Sequence, residues 1–290
     1  MSDQAEQLRR LIDQRPAHEV MPCVVAVSSG KGGVGKSNFT LNFALELIRA
    51  GSRVVIIDAD IGFANIEVLL GIRPKRSLHD LITQRLSIWD VMETGPNGLR
   101  FLAGGSDFTE LVHLNNDQMD FLVEQFTQLH GKFDVVLIDM GAGLTAQTLR
   151  LIMACDEMIV VSTPEPTAIA DAYSLIKMVC TQANYPPLQL VINRVENLVE
   201  GREASEKISL VAKRFLQVDI RSLGFIFDDP NVSKSVKGQA PFTLAYPNSS
   251  ATRCVRQIVA NYHRQQQLDR PVNGLVSFIH RLGKWFQGNP

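Results

Sequence analysis

Lys31, Lys36 and Ser37 stand in one glycine-rich stretch, Gly30-Lys31-Gly32-Gly33-Val34-Gly35-Lys36-Ser37, followed by Asn38. This is a set of groups for holding phosphate. Backbone N–H groups turn inward where no Cβ intervenes, the helix beyond adds its positive dipole end, Lys36 reaches the β- and γ-phosphates, and the Ser37 hydroxyl sits on Mg²⁺. The acids such chemistry needs recur downstream, at Asp58-Ala59-Asp60 and at Asp139. Carboxylates at strand ends beside a phosphate loop lie where Mg²⁺ and the attacking water are held. An acid there also caps a following helix, so either role is open to Asp58 and Asp60. Lys31 is extra: the pattern G-x-x-x-x-G-K-S/T does not ask for it.

These residues work only if strands and helices hold them. Val24 to Val27 is an apolar run leading into the loop, and Asn38 to Ala50 continues from it with Leu41, Ala44, Leu45 and Ile48 at helical spacing. Arg53 to Ile57 reads as a second buried strand ending at the Asp58 acids, and Asp134 to Ile138 as a third ending at Asp139, the Walker B form. Further strands are read at 99–102, 157–162, 188–193 and 220–227. Helices are read at 115–129, 168–181, 203–216 and 251–267, and Ser77 with Asp80 three residues on caps a short one. Alternation of strand and helix predicts an α/β fold: a doubly wound, mostly parallel sheet with helices on both faces. Asn193-Arg194 falls at a strand's carboxyl end, where an amide recognises a base or simply forms a turn.

The 290 residues include 29 basic and 30 acidic side chains, a net charge of -1, so the whole molecule has no electrostatic reason to sit on nucleic acid. Cys23, Cys155, Cys180 and Cys254 are widely spaced and form no C-x-x-C pair, which suits small apolar residues in a reducing cytoplasm. The polar N-terminus does not read as a signal peptide, and no apolar run approaches the roughly 18 residues of a membrane span.

Three segments follow: 1–22, 23–270 and 271–290. In the first, Asp3 to Gln14 reads as a short helix with Ala5, Leu8, Leu11 and Ile12 on one side, ahead of Pro16 and Pro22. It either packs back on the domain or is offered to a partner's groove. In the last, Leu275, Phe278, Ile279, Leu282, Trp285 and Phe286 recur at steps of three and four, with His280, Arg281 and Lys284 opposite and no acid after Asp269. An interfacial membrane anchor is expected, the alternative being an ordinary core or subunit contact. Twelve helical residues span about 18 Å, so the segment lies in the interface and does not cross it.

The loop resembles the deviant Walker A motif of the MinD/ParA group of P-loop ATPases, Lys31 matching that group's signature lysine. The resemblance runs from about Val24 to Gln267 and takes in Asp58-Ala59-Asp60, Asp139-Met140-Gly141-Ala142-Gly143 and Asn193-Arg194. Within the group, Asp3-Gln4-Ala5-Glu6-Gln7-Leu8-Arg9 is similar to the D-Q-A-x-x-L-R segment with which the flagellar number-and-placement branch stimulates the GTPase FlhF. What this implies is an ATPase using ATP and Mg²⁺ and releasing ADP. ATP would close two subunits, with Lys31 of each reaching the other's phosphates. Ser37, Asp58 and Asp139 would serve Mg²⁺, Asp60 the attacking water, and Asn193 the adenine. Implied partners are a second copy, FlhF, membrane lipid and flagellar basal-body or C-ring proteins, at the cytoplasmic face of the membrane. Met140 departs from the group, where Ser or Thr is common. A division-site regulator of the MinD kind and a partitioning ATPase of the ParA kind share this site. The latter needs a basic DNA-binding surface, which the balanced charge disfavours. An iron-sulfur carrier needs cysteines near Asp139 to Thr145, and none stand there.

Overall fold

Runs in which every residue is apolar make strands buried on both faces, and three such runs form the middle of the sheet. The computed structural model describes residues 22–60, 65–104, 115–143 and 145–266, together with 274, 277, 278 and 281. In chain order the elements are β1 (Cys23–Ser28), α1 (Lys36–Arg49), β2 (Val54–Ala59), α2 (Asn65–Leu70), α3 (Leu78–Thr83), α4 (Ile88–Val91), β3 (Glu93–Thr94), β4 (Arg100–Leu102), α5 (Asn116–Thr127), β5 (Val135–Met140), α6 (Ala146–Ala154), β6 (Glu157–Ser162), α7 (Pro166–Cys180), β7 (Leu188–Val195), α8 (Leu198–Leu216), β8 (Arg221–Phe227), α9 (Pro230–Lys237), α10 (Phe242–Ala245) and α11 (Ser250–Gln266). The expected helix at 3–14 lies outside the described residues, as do Asp3, Gln4, Ala5, Leu8, Arg9, Leu275, Ile279, Leu282, Trp285 and Phe286.

The strands lie in the order β3-β4-β2-β5-β1-β6-β7-β8. Neighbours run parallel, apart from the short β3, which is antiparallel to β4. The chain leaves β1 toward β2 on one side and later toward β6 on the other, so the carboxyl end of β1 is a topological switch point, where ligands of such sheets bind. Register then brings the acids in: Val27 of β1 pairs with Asp139 of β5, and Asp139 pairs with Asp58 of β2.

Side chains of one strand alternate between two cores. Val24, Ala26, Val136 and Ile138 join one; Val25, Val27, Val135 and Leu137 join the other. The second core is closed by α1, α10 and α11 through Phe39, Phe43, Phe242, Val255 and Tyr262. The first is closed by α3 to α8, with Leu81, Ile88, Phe126, Ile152, Ile176 and Ile208.

Two details differ from expectation. Helix α8 starts at Leu198, capped by the Asn197 side chain, which accepts from Val199 and Glu200 N–H groups; exposed Leu198 and Val199 in its first turn hide the start. Residues 146–154, where the sequence pattern predicts no element, form α6, opened by a capping box between Thr145 and Thr148.

Phe278 is 4% exposed and belongs to the first core. Arg281 Nη2 donates to Asp156 Oδ1 at 2.7 Å. At these two residues the C-terminal segment is seated on the domain. Among the described residues no helix is long and apolar enough to cross a membrane.

Candidate nucleotide site

Gly30 to Ser37 joins the end of β1 to the start of α1. Two of its glycines are demanded by geometry. A Cβ on Gly30 would lie 2.2 Å from the backbone of Asp171 in α7, and Gly35, at φ 89°, caps α1 where a Cβ would meet Asn193 Nδ2 at 2.4 Å. Asn193 Nδ2 donates to the Val34 carbonyl at 2.8 Å, so its amide braces the loop from the end of β7. Arg194 beside it turns the strand at φ 56°. The loop is also closed from β5, where Gly143 N–H donates to the Ser29 carbonyl at 3.0 Å.

Lys36 is buried, and its Nζ donates to Asp139 Oδ1 at 2.9 Å and to Ser37 Oγ at 3.1 Å. Thr40, one turn on, is fully buried with Oγ1 2.9 Å from the same carboxylate oxygen. Sequence reasoning missed Thr40, although its place four residues after Lys36 puts both on one helix face. Asp139 Oδ2 is buried without a hydrogen-bond partner.

Asp58 accepts from Asp60 N–H on one oxygen and from Asn65 and Ile66 N–H on the other, each at 3.1 Å. It thus caps α2, one of the two roles open to it from the sequence. Burial, and then the charge of Asp139, push its carboxyl up to about 7. Asp60 is less enclosed; burial raises it too, while the Lys36 charge and the Asn65 amide, 2.7 Å from Oδ2, hold it down. A Cβ on Gly141 would come 3.1 Å from Asp60 Oδ1, so Asp60 lies against the loop after β5. Met140 is wholly buried in the first core.

Lys31 faces the other way. Its Nζ donates to Glu165 Oε2 at 2.6 Å and Thr167 Oγ1 at 3.0 Å, at the start of α7. The Lys31 hydrogen bond, then its charge, hold the Glu165 carboxyl below its usual range. Neither Glu165 nor Thr167 was singled out from sequence; they are 134 and 136 residues away from Lys31.

The residues present fit a hard divalent cation: Ser37 Oγ and Asp139 flank the Lys36 ammonium, and the orphaned Asp139 Oδ2 is an oxygen acceptor awaiting a donor or a metal-bound water. Ser37 and Asp139 would hold Mg²⁺, which neutralises charge on the phosphoryl oxygens when bound.

The sequence profile of the ParA family, described as NUBPL iron-transfer P-loop NTPase, matches residues 21–263. The antiactivator FleN of Pseudomonas aeruginosa is 36% identical over 259 residues, covering 89% of this chain and 92% of that protein. The flagellum site-determining protein YlxH of Helicobacter pylori is 31% identical over 268 residues, 90% of each chain. The septum site-determining protein MinD of Pyrococcus horikoshii, solved as a complex with Mg-ADP, superposes with a TM-score of 0.69 at 24% identity, over 86% of this chain and 98% of its own. With the loop, the Asp139 strand and the signature lysine in place, the chain belongs to the ParA/MinD family of P-loop ATPases.

Proposed function

We propose that this ATPase is a nucleotide-switched regulator of flagellar number and placement, which dimerises on ATP, attaches to the membrane through its C-terminal segment and stimulates FlhF through its N-terminal one. The observation that carries the switch is the direction of Lys31. Its own phosphate loop is served by Lys36, while Lys31 is turned to Glu165 and Thr167, partners it would exchange for phosphates held by a second copy. In each site Ser37 and Asp139 serve Mg²⁺, and Asp60 orients the attacking water and takes its proton, with Asp58 holding the loop that carries Asp60. Asn193 stands at the base end. The flagellar reading is supported by the likeness to FleN and YlxH over nine-tenths of the chain, and the Mg-ADP in the P. horikoshii protein supports the same cofactors here.

The test is sedimentation with a non-hydrolysable ATP analogue. Wild type should dimerise and Lys31→Ala should bind the analogue as a monomer. A Lys31→Ala chain that dimerised as wild type would remove the trans role.

A further inference from the structure

Asn42 is fully buried on α1 and has every hydrogen-bonding position of its amide in use. Nδ2 donates to the Asn38 carbonyl at 2.8 Å and to Asn38 Oδ1 at 2.9 Å; Oδ1 accepts from Thr243 N–H at 3.0 Å and Thr243 Oγ1 at 2.9 Å. A buried amide satisfied on all sides fixes its neighbours relative to one another. One neighbour, Asn38, stands in the first turn of the phosphate-binding helix. The other, Thr243, belongs to α10, in the segment that follows β8.

That segment is closed on itself by Asp229, which accepts from Asn231 N–H at the start of α9 and from Ser250 Oγ and Ala251 N–H at the start of α11. It is seated on α1 by apolar packing of Phe43 against Tyr262, by the Arg256–Glu46 ion pair and, at α10, by the Asn42–Thr243 hydrogen bonds. The sheet order gives it a place in the site. Asp139 and Asp58 stand on β5 and β2, to one side of β1; Asn193 stands on β7, to the other, with β8 beyond. On the nucleotide reading of the site, a ligand lying along the loop would have its terminal phosphate over the first side and its base over the second, next to the segment after β8.

We propose that Asn42 is a positioning residue for nucleotide binding: through Thr243 it sets the distance between the phosphate-binding helix and the base-side segment. The proposal rests on the nucleotide reading of the site. Its signature is selectivity, because loosening the link spares a ligand that has phosphates and no nucleoside.

The test is isothermal titration of the full chain with ADP and, separately, with inorganic tripolyphosphate, for wild type, Thr243→Val, Asn42→Leu and the double variant. Thr243→Val keeps the side chain's size and the Thr243 N–H bond and should weaken ADP by about fivefold, the net worth of one hydrogen bond, with tripolyphosphate unchanged. Asn42→Leu should weaken ADP more, and the double variant no further, since both break one link. Equal losses for the two ligands, or no loss of ADP binding in Thr243→Val, would overturn the proposal, and that variant decides even if Asn42→Leu does not fold. A wild-type chain that binds tripolyphosphate as tightly as ADP would overturn the nucleotide reading itself, and the link with it.

Discussion

Lys36 Nζ lies 2.9 Å from Asp139 Oδ1, and the two side chains are 6% and 0% exposed. The phosphate-binding cation and the carboxylate expected beside the metal are thus each other's counter-ion. Removing one partner leaves a buried charge alone, which costs about 3–5 kcal/mol, whereas removing both costs much less. Asp139→Asn and Lys36→Gln should each lower stability in urea by about that amount, and the double variant should recover a large part of it. Additive losses in the double-mutant cycle would show that the pair is not coupled.

Glu157 gives a pH dependence away from the nucleotide. It is buried at the start of β6, accepting from Gln266 Nε2 at 3.0 Å and Gln189 Nε2 at 3.3 Å, and burial pushes its carboxyl from an ordinary 4.5 to about 7. Between those values the folded chain holds a proton that the unfolded chain has released, so stability is fully present below 4.5 and falls as pH rises toward 7. A gap of that size is worth about 3 kcal/mol. Glu157→Gln should flatten the pH 5–8 slope and raise stability at pH 8. An unchanged slope in urea titrations across that range would assign it to other groups.

What the sequence made legible follows from locality. The glycine loop, the strand before it and Asp139 at the end of an apolar run are contiguous patterns, and the structure keeps them. Asp58 was ambiguous because a cap seven residues ahead of Asn65 breaks the usual spacing, and only the fold brings them together. Thr40 and Asn42 lie two residues apart on one helix, and so on different faces of it, each reading as core until Asp139 and Thr243 arrive from 99 and 201 residues away. Glu165 and Thr167 carry no pattern at all; parallel pairing of β1 with β6 delivers them to Lys31.

The N-terminal segment has its own test. A peptide of Met1 to Arg15, like the intact chain, should speed GTP hydrolysis by FlhF, since Asp3, Gln4, Ala5, Leu8 and Arg9 carry the likeness on which that role rests. A chain lacking those residues should hydrolyse ATP normally and leave FlhF at its basal rate. Equal stimulation by the truncated chain would place the activating surface elsewhere.

Membrane attachment must reckon with the seat of the C-terminal segment. Phe278 belongs to the apolar set expected to enter lipid, yet it is buried in the domain, and Arg281 is held by Asp156. The same face cannot occupy both places, so attachment requires release, and ATP-driven pairing would then present two released segments together, each marginal alone. Asp156→Asn separates the steps. It keeps an oxygen for the Val24 N–H now bound by Oδ2 and removes the charge that holds Arg281, leaving the lipid-facing residues untouched. In vesicle co-sedimentation with ADP, Asp156→Asn should pellet more than wild type, and with ATP the two should converge. Phe278→Glu should pellet in neither state while still binding ATP. Anionic lipid should help wild type through Arg281 and Lys284, more so at low salt. Equal pelleting of wild type with ADP and ATP, together with full pelleting of Phe278→Glu, would return this segment to an ordinary part of the core.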